Sequence, residues 1–192
     1  MIRPLYDWTM RLAGHRRANW ALAAISFIES SFFPIPPDVM LMPMVLANRR
    51  KAWKIATICT IASVLGGFAG YAIGFFLFET VGQAIIDFYG AAEKFESFQA
   101  GYNEHGAWAV FIFALTFFPY KVITITSGVT ALSLAAFFIA SVIGRGLRFF
   151  VVAGLLWKYG EPIQGFIEKR LNLLFVLFVV LLVGGFAALK LL

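Results

Sequence analysis

The sequence predicts an all-α integral membrane protein made of two inverted-topology halves. Each half is a re-entrant helical hairpin followed by a transmembrane helix. Three observations carry this expectation. First, 61% of the 192 residues are hydrophobic and 14% charged, with 22 Phe and 5 Trp, and the mean hydropathy is +0.84. A soluble core of this size does not need so many apolar and aromatic residues, and the bias is that of a membrane protein. Second, the stretch Glu29-Ser-Ser-Phe-Phe-Pro-Ile-Pro-Pro-Asp38 sets two carboxylates and three prolines inside an otherwise apolar run from Trp20 to Ala47. Third, Phe-Phe-Pro recurs at Phe117-Phe118-Pro119, now followed by Tyr120-Lys121.

Residues 1–17 are expected to form an interfacial helix. Pro4 suits a first turn; Leu5, Trp8 and Leu12 share one face, and basic residues occupy the rest, the pattern of a helix lying at a membrane surface. Pro4, Asp7 and Trp8 interrupt any signal-peptide core, so no cleavable leader is expected. The first half, 18–78, opens with a hairpin that breaks at Pro34, Pro36 and Pro37, because proline removes backbone donors and clashes with the preceding turn. Non-helical backbone at membrane depth is tolerated only where protein or a wet cavity surrounds it. Arg16-Arg17 before the hairpin and Arg49-Arg50-Lys51 with Lys54 after it put both of its ends on the cytoplasmic side. Ile55 to Phe78 is long enough to span, and Gly66, Gly70 and Gly74, with Gly67, let another backbone approach closely.

Residues 79–105 are expected as a polar, non-cytoplasmic connection holding one or two short amphipathic helices. There Glu79, Asp87, Glu93, Glu96 and Glu104 face a single base, Lys94. The second half, 106–157, repeats the plan: a hairpin from Ala107 to Val129 that breaks at Pro119, then a span from Leu132 to Trp157. Residues 158–192 supply a polar connection to Arg170 and a final transmembrane helix, Leu171 to Leu192. Charge bias gives the two hairpins opposite sides, so their broken helices meet near the midplane, a common transporter plan.

Ionisable groups at membrane depth are expensive and mark functional sites. Glu29 and Asp38 come from the first half; Lys121, Arg145 and Arg148 come from the second. Pairing two carboxylates with three cations leaves one positive charge to attract an anion. Arg145 and Arg148 lie three residues apart on one helix face, and guanidinium offers a planar fork suited to phosphate. Lys121 sits at the amino end of a half-helix, where anions are favoured. Glu29 and Asp38 are placed to hold the arginines and to exchange a proton, since burial and a neighbouring arginine push a carboxylate pKa in opposite directions. Two plainer alternatives stay open: Asp38 as a complement to its helix dipole, and the arginines as purely structural partners. Ser30, Ser31, Thr124 and Thr126 are read as satisfying backbone near the breaks, and Phe32, Phe33, Phe117 and Phe118 as packing. Lone Cys59 and the separated His15 and His105 build neither a disulfide nor a metal site, and no Ser–His or Cys–His pattern supports an enzyme. No cofactor and no nucleic-acid partner is expected, and the oligomeric state is left open with a homo-oligomer allowed.

Four ordered stretches are similar to the DedA family, also called the SNARE-associated Golgi or VTT-domain family, and within it to the YqaA-like branch. They are Phe27-Ile-Glu-Ser-Ser-Phe-Phe-Pro-Ile-Pro-Pro-Asp38, Gly66-Gly-Phe-Ala-Gly-Tyr-Ala-Ile-Gly74, Phe118-Pro-Tyr-Lys121 and Gly144-Arg-Gly-Leu-Arg-Phe149. Together they run from about Phe27 to Leu156. The resemblance implies facing re-entrant hairpins in a bacterial inner membrane and movement of lipids between leaflets, including undecaprenyl phosphate in some members, with proton coupling proposed. Its acidic pair maps onto Glu29 and Asp38. Many members carry an arginine just before the second Phe-x-Pro; here that position is Thr116, and the base is Lys121. The expected function is therefore transport of a lipid phosphate, with a small-anion or proton transporter or channel as the alternative.

Overall fold

The computed structural model describes residues 17–32, 36–116, 119–160 and 162. The expected interfacial helix 1–17 (apart from Arg17), Pro34 and the final span 171–192 lie outside the described residues, as do His15, Phe33, Phe117 and Phe118. The described residues form helices and turns, with no strand among them.

Helix α1, Ala18–Ser31, ends at Phe32, just before the proline cluster. Helix α2, Asp38–Ala47, starts behind Pro37 with Asp38 in its first turn, where a carboxylate complements the helix dipole. After a 3-10 turn, Arg49–Lys51, helix α3 runs unbroken over Ala52–Leu77. A single π-helical turn, Phe78–Gly82, passes it into α4, Gln83–Phe88. Gly90, at φ 59°, reverses the chain, which only a residue without Cβ does at no steric cost. Helix α5 covers Ala92–Leu115. The chain is extended at Thr116 and at Pro119, and resumes as α6, Tyr120–Val129. The last described helix, α7, is Leu134–Gly160.

Helix α1 ends at Ser31 and α2 begins at Asp38, and α5 ends at Leu115 and α6 begins at Tyr120, while 79–105 is helical over most of its length. Instead of a separate connection with its own short helices, α3 carries on through the π turn to Phe88, and the acidic segment from Ala92 is the first half of α5. Ala92, Glu93, Lys94, Glu96, Gln99 and Ala100 are strong helix formers, so the charged and apolar parts fuse into one rod. Likewise α7 extends past Trp157 to Gly160.

Contacts along α3 set the register of everything else. Ser26, Ser30 and Ser31 of α1 meet Cys59, Ser63 and Gly66, so α1 runs alongside α3 in the same direction. After the first break α2 returns, and Met40, Leu41 and Val45 join Leu22, Ala52, Ala56 and Cys59 in one apolar cluster with Phe149 and Ala153. The second unit arrives from the other end: Phe95 stacks on Phe78, and Ala114, near the end of α5, lies against Gly144. Helix α6 then turns back, with Ser127 bonded to Tyr102 and Gly128 against Tyr71. It belongs to a second apolar cluster of Val110, Ala114, Tyr120, Ile123, Leu132 and Phe137. Helix α7 runs antiparallel to α3, from Phe137 beside Phe68 to Phe150 beside Trp53.

Glycine makes these approaches close. A Cβ on Gly66 would strike the Phe27 carbonyl, and one on Gly74 would strike the Ile125 carbonyl; Gly70 fits against Thr124 and Ser30. The polarity is that of a chain in lipid. On α7, Ile139, Ile143, Leu147, Val151 and Leu155 repeat every four residues and all face outward, Ile139 at 56% exposure, whereas Arg145 is 0% exposed. Hydrocarbon outside and charge inside reverses the arrangement of a water-soluble protein.

Candidate functional site

Between the two apolar clusters, level with Ser63 of α3, lies a layer of charge. Glu29 sits one turn above Ser26 on α1, Asp38 opens α2, and Arg145 and Arg148 project from the same face of α7. All four are buried. Arg145 Nη2 donates to Glu29 Oε2 at 2.5 Å, and its Nε donates to Ser63 Oγ at 2.5 Å. Ser63 and Ser30 share a hydrogen bond of 2.7 Å, and Ser30 donates to Glu29 at 3.1 Å. Glutamate, two serines and guanidinium thus close a ring across α1, α3 and α7. The Arg145 guanidinium lies between the rings of Tyr120 and Phe149, 4.8 Å from each centroid, where cation–π attraction holds it without hydration. Tyr120 is fixed in turn by donating to Ser141 Oγ at 2.5 Å.

Arg148 pairs with Asp38 through its Nη2 and donates from Nη1 to the Thr116 carbonyl at 2.7 Å. Position 116, where the resemblance implies an arginine in many members and this chain has threonine, therefore serves this layer through its backbone oxygen. Lys121, half-buried at the start of α6, donates to the Phe32 carbonyl at 3.4 Å, and Thr124 donates to the Ser30 carbonyl at 3.2 Å. These two bonds join the broken ends of the two units. Asp38 Oδ1 and Arg145 Nη1 are buried with no hydrogen-bond partner among the described residues. A buried donor and a buried acceptor without partners are uncommon in a folded protein.

Of the five charged candidates at membrane depth, Lys121 bonds the Phe32 carbonyl at the first break, and Glu29, Asp38, Arg145 and Arg148 pair within this layer. Pro36, Pro37 and Pro119 border it from the two breaks, and Gly66 and Gly70 flank it on α3 while Gly74 lies a turn further along. Ser30 does more than cap backbone: it links Glu29 to Ser63. Ser31 and Thr124 do bond carbonyls near the breaks. Phe32 departs from the packing expectation, at 60% exposure. Sequence reasoning missed Ser63, Tyr120 and Phe149, each an ordinary member of an apolar run whose partners come from distant helices.

The VTT domain profile matches residues 35–158. The chain belongs to the VTT-domain family. It is thus a membrane protein of the DedA type. A Haemophilus influenzae protein of uncharacterised function is 38% identical over 97% of this DedA-type chain and 96% of its own length. A similar Histophilus somni protein is 34% identical over 88% and 87%. No solved structure matches. The family domain takes in α2 to α7 and both arginines, while Glu29, which completes the first ion pair, stands just ahead of it.

Proposed function

We propose that this protein is a multi-pass carrier of a bacterial inner membrane that moves a lipid phosphate, undecaprenyl phosphate or a phospholipid, between leaflets. The carrying observation is the charged layer, in which two buried arginines meet two carboxylates, with Lys121 bonded to the Phe32 carbonyl where the first and second helix–break–helix units touch. In this reading both units are re-entrant hairpins that dip from opposite faces, and the halves are inverted repeats. The register along α3 supports this, since the units approach from its two ends and join near Ser63. Half-helices meeting at the midplane are where carriers of this plan bind substrate.

Lys121 is the outermost cation and makes first contact with the phosphate. Arg148 and Arg145 come next as ligands once their carboxylates let go. A proton on Glu29 or Asp38 removes the charge that holds its arginine, so proton uptake and phosphate capture are linked. The outward hydrocarbon faces of α3 and α7 leave acyl chains in the surrounding lipid while the head group crosses.

Proteoliposomes carrying a fluorescent lipid phosphate test this. Lys121→Ala is expected to slow appearance of label in the opposite leaflet about tenfold, the worth of one charge-assisted hydrogen bond, whereas Lys121→Arg retains most of the rate. Equal rates for wild type and Lys121→Ala, with both proteins folded, reject the proposal. Uptake of radiolabelled inorganic phosphate by the same vesicles, with no movement of lipid label, transfers the site to a small-anion carrier.

A further inference from the structure

The described charges outside the central layer divide along α3. Arg50, Lys51 and Lys54 stand at its start, and Lys158 stands at the end of the antiparallel α7, all exposed. No described residue at that end is acidic. Glu79, Asp87, Glu93, Glu96 and Glu104 all lie toward the opposite end, on α4, α5 and the π turn, with Lys94 the one base among them.

Aromatic side chains mark the level of the basic end. Trp53 packs 6.1 Å from Trp157 and 5.9 Å from Phe150, yet Trp53 and Trp157 remain about half exposed, and Trp20 is 79% exposed. Lys158 Nζ lies 5.2 Å from the Tyr159 ring centre. The Arg49 side chain lies against Gly160, which sets the start of α3 beside the end of α7. Amphipathic rings collect at the headgroup level of a bilayer, so this basic surface stands where headgroups are.

We infer that the joined ends of α3 and α7 form a binding surface for an anionic phospholipid of the surrounding leaflet, separate from the central layer and independent of transport. Charge complementarity selects the occupant. Clustered cations beside membrane helices each gain from an anionic headgroup, and a zwitterionic headgroup offers no net charge to match. The tryptophan pair supplies the apolar floor against which the glycerol backbone and upper acyl chain lie.

The full chain in nanodiscs tests this through its own tryptophans. Phosphatidylglycerol spin-labelled high on one acyl chain is compared with phosphatidylcholine carrying the same label. Wild-type fluorescence is expected to be quenched at a several-fold lower fraction of phosphatidylglycerol. The combined variant Arg50→Gln, Lys51→Gln, Lys54→Gln and Lys158→Gln is expected to lose that preference. Molar salt, with a Debye length of about 3 Å, is expected to abolish it in wild type, which keeps the test decisive if the variant fails to fold. Added glycerol phosphate is expected not to compete. Equal quenching by the two lipids, a preference that survives both salt and the substitutions, or displacement by glycerol phosphate overturns the assignment.

Discussion

Arg145 is fully enclosed, and its charge is compensated by one carboxylate, one hydroxyl network and two aromatic faces. Removing one partner of such a pair leaves an uncompensated ion, which costs about 3–5 kcal/mol. Glu29→Ala and Arg145→Ala are each expected to lower unfolding free energy by about that amount, and the double substitution by clearly less than their sum. Unfolding in mixed detergent micelles measures all three; additive losses would mean that the two groups do not interact. The helical spacing of Arg145 and Arg148 and the isolation of Glu29 in an apolar run were readable in the sequence. Which arginine meets which carboxylate was not, because the partners are separated by 116 and 110 residues and periodicity carries no information across such distances. Ser63 was equally hidden, since a serine in a membrane helix usually bonds its own backbone.

Among the helices, α3 is the post to which the others are fitted, and its glycines determine how close they come. Gly74→Ala is expected to destabilise by about 1–3 kcal/mol, the usual cost of overpacking, because the added methyl meets the Ile125 backbone rather than a movable side chain. Gly101→Ala, on α5 where a Cβ meets nothing within 4 Å, is expected to stabilise by about 0.5–1 kcal/mol from the lower entropy of the unfolded chain. Thermal melts of both variants check the contrast; a loss at Gly101 or a gain at Gly74 contradicts the packing. The small-residue spacing on α3 was visible beforehand, whereas the extension of α5 through Glu93 and Glu96 was not. A run of acidic residues after an apolar span looks like a connection, but its helix propensity and the stack of Phe95 on Phe78 keep it helical.

Across the protein, the proposed topology sets the basic start of α3 on the cytoplasmic side and the acidic start of α5 on the other face, following the bias of positive charge toward the cytoplasm. Cys59 is buried, so the natural background is silent to membrane-impermeant maleimide. Cysteines introduced by Lys51→Cys and Glu93→Cys are expected to label in spheroplasts in opposite fashion: the second from outside, the first only after lysis. Labelling of both from one side contradicts the orientation. The all-helical, apolar character came from composition; the expectation of two breaks came from proline, and the sidedness rests on the charge pattern alone.

The short rods that follow the two breaks bear on how the polypeptide is made. Helices α2 and α6 have 10 residues each, about 15 Å of rise, against a hydrocarbon slab of about 30 Å. Neither has a stable residence there alone. In the proposed re-entrant topology the nascent α1–α2 arm lingers beside the insertion machinery until α3 has been synthesised, whereas the α5–α6 arm emerges to find its receptor already installed. One arm waits for a partner still inside the ribosome; the other docks on a partner already in the bilayer.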